Sequence, residues 1–278
     1  MASQLCSSVI LVITIVLVWT VDSLTLNDFY PYGEENGDTA VTVTPATDMS
    51  VPLEQPIENF AVFKTHQLNV SNIHVYFDGF IRFESGSHYI EFNLLNRRGQ
   101  GDDNLSITTY RLTNDSLLLR RAQNEINKAF PHTFCSSSPP TQLLIQTWID
   151  YKKGPSYPGS NFQFLLVTNG FNSYGIAKFV DVNDHMDREG SMTTGVRTFL
   201  FGASETSNIV QFPFESDVYD APTQMLNSDI PGTYLFSLNS SDGDCTGSCH
   251  CKIALVRLAC EVRRRNGESL PNSCNRYD

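Results

Sequence analysis

Alternating apolar and polar residues in the middle of the chain predict short β-strands separated by turns. The clearest strand has apolar side chains on both faces, with Phe162, Phe164 and Leu166 on one face and Leu165 and Val167 on the other. We therefore predict that residues 162–167 form a central strand of a sheet. The Asn169-Gly170 pair that follows tolerates positive φ and predicts a hairpin turn into a second strand.

The same pattern predicts most of the remaining fold. Further strands are expected in residues 60–63, 73–77, 80–83, 89–92, 105–110, 143–149, 174–180, 196–201, 209–212 and 233–238. Asp78-Gly79, between two of them, is a second hairpin signal. Short strands joined by tight turns are typical of antiparallel sheets, so we predict a mainly β (α+β) protein with an antiparallel sheet or sandwich.

One segment has the period of a helix instead. Its apolar residues recur at four-residue spacing: Leu118, Ala122, Ile126 and Phe130. Three polar residues before them are candidates for the N-cap: Asn114, Asp115 and Ser116. Because Pro131 ends the pattern, we predict one amphipathic helix over residues 117–130 that packs on the sheet.

An apolar run near the N-terminus indicates the compartment. Residues 9–19 are long enough for the hydrophobic core of a signal peptide but shorter than the ~20 apolar residues of a membrane-spanning helix. We predict a signal peptide over residues 1–23 and a secreted protein that is not membrane-spanning. A buried core helix and an uncleaved anchor are the alternatives.

Charge divides the chain into two parts. The formal net charge is −11, yet residues 245–278 hold six basic residues against three acidic ones. We predict a main domain over residues 24–241 and a small cysteine-rich basic tail over residues 242–278. The acidic main domain argues against nucleic acid as a partner, because that function needs a basic surface. We expect Arg263-Arg264-Arg265 to be solvated, with a protease site or a sulfated-glycan contact as alternatives.

Cysteine placement predicts how the tail is attached. Six cysteines follow the signal peptide: Cys135, Cys245, Cys249, Cys251, Cys260 and Cys274. An even number in a secreted protein favours disulfides. If all six pair within the chain, Cys135 bonds to a tail cysteine and links the tail to the main domain. The alternative is a zinc site formed by Cys245, Cys249, His250 and Cys251.

Four sequons are candidates for N-glycosylation: Asn69, Asn104, Asn114 and Asn239. The last three lie in polar stretches that are typical of a protein surface. Asn69 precedes an apolar strand, so we expect it to lie closer to the core than the other three.

Four blocks of sequence resemble the nidogen-like extracellular domain family. They are Phe29-Tyr-Pro-Tyr-Gly-Glu-Glu-Asn-Gly-Asp38, residues 73–83, the Thr147-Trp148 pair with the hairpin over residues 161–179, and Ile230-Pro-Gly-Thr-Tyr-Leu-Phe236. This family occurs in basement-membrane linkers, tectorial-membrane proteins and membrane mucins. The resemblance implies a role in cell–matrix adhesion, with extracellular matrix proteins or cell-surface glycoproteins as partners.

Motifs for catalysis are weak. The sequence lacks a Gly-x-Ser-x-Gly elbow, a His-Glu-x-x-His motif and a phosphate-binding Gly-x-x-x-x-Gly-Lys run. We therefore predict a non-catalytic protein without a cofactor; a secreted hydrolase with an unrecognised active site is the alternative.

Acidic loops make calcium a weak candidate ligand. Oxygen ligands of the kind that calcium prefers are close together at Asp181, Asp184, Asp187 and Glu189, and again at Asp242-Gly-Asp244. A solvated loop is the simpler interpretation. An acidic matrix component associated with calcium or mineral is the corresponding alternative function.

Overall fold

The computed structural model describes residues 23–41, 49–62, 66–76, 79–85, 88–96, 107–131, 133–152, 158–183, 193–200, 206–212, 215–239 and 264. The strands are β1 (Thr39–Val41), β2 (Met49–Val62), β3 (His66–Tyr76), β4 (Phe80–Ser85), β5 (His88–Asn96), β6 (Ile107–Thr113), β7 (Gln142–Tyr151), β8 (Ser160–Thr168), β9 (Ser173–Asp181), β10 (Thr193–Leu200), β11 (Thr206–Gln211) and β12 (Thr233–Ser237). Helix α1 spans Ser116–Ala129, and 3₁₀ turns span Leu26–Asp28, Glu34–Asn36 and Glu215–Thr223.

The strands form two six-stranded sheets. Sheet A has the order β1-β6-β7-β8-β9-β12, and sheet B has the order β11-β10-β5-β4-β3-β2. Every pairing between these strands is antiparallel. The prediction of a mainly β, antiparallel protein with a main helix is therefore confirmed.

The two sheets pack face to face around an aromatic core. Phe92 of β5 and Phe164 of β8 have ring centroids 4.9 Å apart, and Trp148 of β7 stacks on Phe162 at 4.7 Å. All four side chains are at most 1 % exposed. Aromatic side chains bury large areas and add favourable ring contacts, so this layer contributes much of the stability of the fold.

The opposite face of sheet A is also buried. Leu165 and Val167 of β8 pack there in one cluster with Ala122 and Ile126 of α1, while the neighbouring residues of β8 face sheet B. Sheet A is therefore the middle of three layers. The central position of β8 and its two apolar faces are as the sequence predicts.

Helix α1 packs through the predicted stripe. Ala122 and Ile126 are fully buried. Asp115 is the N-cap, because its Oδ1 accepts the N–H groups of Leu117 at 2.9 Å and Leu118 at 3.0 Å. The structure thus selects one of the three predicted cap candidates.

Turns and edges explain where the strands end. Gly79 in the predicted Asp78-Gly79 hairpin has φ +75°, and any side chain there would collide with the Leu95 carbonyl. Strand β2 is much longer than predicted although it contains Pro52 and Pro56. It forms one edge of sheet B, where a missing N–H is tolerated.

The edge of sheet A formed by β12 is capped by a side chain. Asn227 Oδ1 accepts the N–H of Leu235 in β12 at 2.9 Å, and its Nδ2 donates to the Leu235 carbonyl at 2.5 Å. An amide in this position blocks the edge to further strands.

No helix within the described ranges has the length and apolar character needed to cross a bilayer. The predicted signal peptide lies outside those ranges except for Ser23.

Candidate functional site

A row of polar side chains crosses the face of sheet A that is turned towards α1. The strand register aligns one residue from each of five neighbouring strands: Thr109, Thr147, Gln163, Lys178 and Thr233. All five are at most 2 % exposed. We call this set the polar row. Buried polar groups cost free energy unless partners satisfy them, so the polar row needs a polar cover.

The N-terminal segment, residues 24–38, supplies much of this cover. The Gln163 amide pairs with Tyr30 as a neighbouring strand would. The Tyr30 N–H donates to Gln163 Oε1 at 2.8 Å, and Gln163 Nε2 donates to the Tyr30 carbonyl at 3.0 Å. Nε2 also donates to Thr147 Oγ1 at 2.9 Å. One side chain thereby satisfies both main-chain groups of a fully buried tyrosine.

Two arginines hold the same segment from its two sides. Arg121 of α1 donates to the Phe29 carbonyl at 3.0 Å, and its guanidinium lies 4.0 Å from the centre of the Tyr30 ring. Arg111 of β6 donates to the Pro31 carbonyl at 2.9 Å. Charged donors make stronger hydrogen bonds than neutral ones, so the segment is fixed firmly to both the helix and the sheet.

A partly buried ion-pair network joins the helix, the sheet and the N-terminal segment. Lys178 Nζ lies 3.0 Å from Glu125 Oε2, while Glu125 Oε1 accepts from Arg121 Nε at 3.1 Å and from the Tyr30 hydroxyl at 3.3 Å. Burial lowers the pKa of Lys178, and the Glu125 carboxylate opposes that shift. Burial also raises the pKa of the Tyr30 phenol well above its ordinary value.

Asp38 anchors the far end of the N-terminal segment. Its Oδ2 accepts from the Thr109 hydroxyl and from the Gly33 N–H, each at 2.8 Å, and its Oδ1 lies 3.4 Å from Arg111 Nε. Burial raises the pKa of the Asp38 carboxyl despite these partners.

The polar row and its cover therefore form a clamp that holds the N-terminal segment on sheet A. The predicted site residues include neither Gln163 nor Lys178. Each is a single polar residue that interrupts an apolar strand face, and that interruption is the signal in the sequence.

A second feature lies at one end of sheet A, in the turn between β8 and β9. Phe171 at this turn is 57 % exposed. Asn169 Oδ1 accepts the N–H groups of Phe171 at 3.0 Å and Asn172 at 2.8 Å, and its Nδ2 donates to Ser138 Oγ at 3.0 Å. Gly170 has φ +84°, as the hairpin prediction requires. Residues 169–172, here called the Phe171 turn, thus present an aromatic ring on a well-braced backbone.

The predicted calcium ligands are only partly within the described residues. Asp181 accepts from the Asn161 main-chain N–H at 2.9 Å and from the Asn161 Nδ2 at 2.8 Å, so its carboxylate joins the ends of β8 and β9. Asp184, Asp187 and Glu189 lie outside the described residues, as does the Asp242-Gly-Asp244 segment. Within the described part of the chain, no group of three or more His, Cys, Asp or Glu side chains is placed to hold a metal.

The cysteines and sequons are likewise divided. Cys135, in the loop after α1, is disulfide-bonded. Its partner lies outside the described residues, as do all five tail cysteines and His250, so the pairing scheme stays a prediction. Asn114 and Asn239 are described, Asn69 lies within β3, and Asn104 is outside the described residues.

Comparison with known families decides the classification. The family model described as "Nidogen-like domain" matches residues 73–240, which is more than half of the chain. The chain belongs to the nidogen-like domain family. The nidogen-like domain defined by this match includes α1, the Phe171 turn and all of the polar row, whereas the N-terminal segment lies before it. Neither the curated proteins nor the solved structures give a match.

Membership in this family suggests an extracellular-matrix or adhesion-type protein. The resemblance seen in the sequence is confirmed.

Proposed function

We propose that this chain is a secreted, non-catalytic protein that binds extracellular matrix proteins or cell-surface glycoproteins through its nidogen-like domain. The observation that carries the proposal is the family match over residues 73–240. A fold class alone does not define a ligand, so the proposal needs a contact surface on this particular domain.

The buried titratable groups support a non-catalytic role. Lys178 and Asp38 are buried and the Glu125 side chain is only 17 % exposed, an environment that often marks an active site. Their partners, however, belong to the N-terminal segment, α1 and the neighbouring strands. Each group therefore acts in holding the fold together.

The Phe171 turn is the proposed contact. Large aromatic side chains that become buried in a partner contribute a major share of binding energy. A contact on a rigid turn loses little conformational entropy on binding, and the Asn169 hydrogen bonds supply that rigidity. Phe171 therefore combines exposure with a fixed position.

Binding of the purified, secreted protein to decellularised matrix tests the proposal. We expect saturable binding by the natural sequence and at least about tenfold weaker binding by Phe171→Ser, as for loss of an interface hot spot. Met225→Ser is the matched control, because Met225 is exposed to a similar degree, 52 %, and lies in a different loop. Repeating the measurement with a calcium chelator tests whether the predicted calcium ligands contribute to binding.

Absence of saturable binding with and without chelator would overturn the matrix-binding proposal. Equal binding by the two variants would instead remove the Phe171 turn as the contact.

The hydrolase alternative has one observation in its favour. His74 Nε2 lies 2.8 Å from Glu84 Oε2 on sheet B, and the strand register places Ser50 opposite His74. Ser, His and a carboxylate are the residue types of acyl-transfer enzymes. If the protein is non-catalytic, as we propose, it hydrolyses small activated esters no faster than its His74→Ala variant does. A rate that depends on both Ser50 and His74 would favour the hydrolase.

A further inference from the structure

Two of the four sequons lie at the same end of sheet A as the Phe171 turn. The register across this end aligns residues from five neighbouring strands: Thr113, Leu143, Val167, Tyr174 and Ser237. Asn114 directly follows the first strand of this row, and Asn239 lies two residues after the last. The Phe171 turn joins the two strands between them, β8 and β9.

Asn114 is placed as a glycan acceptor should be. It is exposed and stands outside α1. The capping bonds to the helix come from the next residue, Asp115. A glycan on Asn114 therefore displaces neither the cap nor a buried contact, and the sequon hydroxyl of Ser116 is exposed at the first turn of α1.

Asn239 combines a structural bond with an acceptor atom. Its Oδ1 accepts the Ser173 N–H at 2.8 Å, which fixes the side chain against the start of β9. An N-linked glycan is attached to the amide nitrogen, and the amide keeps its carbonyl oxygen afterwards. Glycosylation is therefore compatible with the bond to Ser173, and that bond sets the direction in which the glycan leaves the surface.

We propose that the secreted protein carries N-linked glycans on both Asn114 and Asn239, one on each side of the Phe171 turn. Neighbouring strands are about 4.8 Å apart, β6 lies two strands from β8, and β12 lies beside β9. The two acceptor strands are therefore within roughly 10 Å of the turn across the sheet.

Hydrophilic glycans on either side of an exposed Phe171 keep this end of the domain in solution. They also leave the turn itself as the accessible protein surface there. The proposal holds whether or not Phe171 contacts matrix.

The decisive measurement is peptide mapping of the full chain secreted by a eukaryotic host. Enzymatic removal of N-glycans in heavy-oxygen water converts each occupied asparagine into labelled aspartate. We expect the label at Asn114 and at Asn239. An unlabelled asparagine at either position in the intact secreted protein overturns the proposal.

Variants separate the glycan from the side-chain bond. Ser116→Ala and Ser241→Ala each remove one sequon and leave the asparagine in place, so each should abolish one glycan-dependent shift in gel mobility. Ser241→Ala and Asn239→Leu both lack the glycan at position 239, but only Ser241→Ala keeps the Asn239 bond to Ser173. Asn239→Leu should therefore melt at a lower temperature than Ser241→Ala. An unchanged mobility for Ser241→Ala or Ser116→Ala contradicts the assignment at that site.

Discussion

Two buried glutamines on adjacent strands provide a matched test of how the N-terminal segment is held. Gln163 on β8 and Gln146 on β7 are both 0 % exposed. Gln163 pairs with both main-chain groups of Tyr30. Neither amide atom of Gln146 has a hydrogen-bond partner in the described part of the chain. The same substitution, Gln→Met, keeps the volume at both sites nearly unchanged.

The expected effects have opposite signs. Gln163→Met leaves the buried N–H and C=O groups of Tyr30 without partners. At about 1–3 kcal/mol for each unsatisfied group, the loss is about 2–6 kcal/mol. Gln146→Met removes a buried amide that has no compensating bond, so it should be neutral or raise stability by about 1–3 kcal/mol. The free energy of unfolding of ordinary domains is about 5–15 kcal/mol, so Gln163→Met should lose a large part of the stability.

Urea unfolding with intact disulfides measures both changes. Fluorescence of Trp148, which is 1 % exposed, and far-ultraviolet circular dichroism should give coincident transitions, from which midpoint and slope yield the free energy of unfolding. A Gln163→Met variant within about 1 kcal/mol of the natural sequence would refute the reasoning. An equal loss in the two variants would refute it as well, because the loss would then reflect packing alone.

Two further predictions concern the clamp and the helix. Arg121→Ala should speed proteolysis within residues 24–38, because the hydrogen bond from Arg121 to the Phe29 carbonyl is lost. The control is Arg120→Ala, at a neighbouring exposed position, which should leave the cleavage rate unchanged. Equal cleavage rates in the two variants would contradict the clamp. Asp115→Ala should cost about 1 kcal/mol through loss of the N-cap, and a thermal melt with no change contradicts this.

Burial raises the pKa of Asp38, so the folded state binds the proton more readily than the unfolded state. Stability relative to Asp38→Asn should therefore rise as the pH falls through the folded pKa towards the unfolded value. A stability difference between the natural protein and Asp38→Asn that stays constant or decreases as the pH falls would contradict a cost of burying the Asp38 carboxylate.

The sequence predicts the elements whose causes are local. The Asp78-Gly79 and Asn169-Gly170 hairpins follow from residues that accept positive φ, and Gly79 and Gly170 have it. The two apolar faces of 162–167 predict a central strand because only burial on both sides explains them. Helix α1 follows from its own stripe and cap.

The clamp is harder to predict because its parts are far apart in sequence. Gln163 and Tyr30 are separated by 133 residues, and no periodicity links them. Lys178 interrupts an apolar strand face, but nothing in the sequence indicates that Glu125 is its partner. Likewise, the sequence does not predict the full length of β2, because prolines such as Pro52 and Pro56 ordinarily indicate the end of a strand. They are tolerated here because β2 lies at the edge of sheet B, and that position is a property of the whole sheet.

The distance between Tyr30 and its partners also has a consequence for biosynthesis. The N-terminal segment is made first, yet Gln163 is added 133 residues later. At roughly 5–20 residues per second, the ribosome needs about 7–27 s to supply that partner. During this interval the segment has no native binding site, and the end of sheet A that includes β12 is completed later still. Docking of Tyr30 is therefore a late event, and its N–H and C=O groups lack their native partner until β8 has been made.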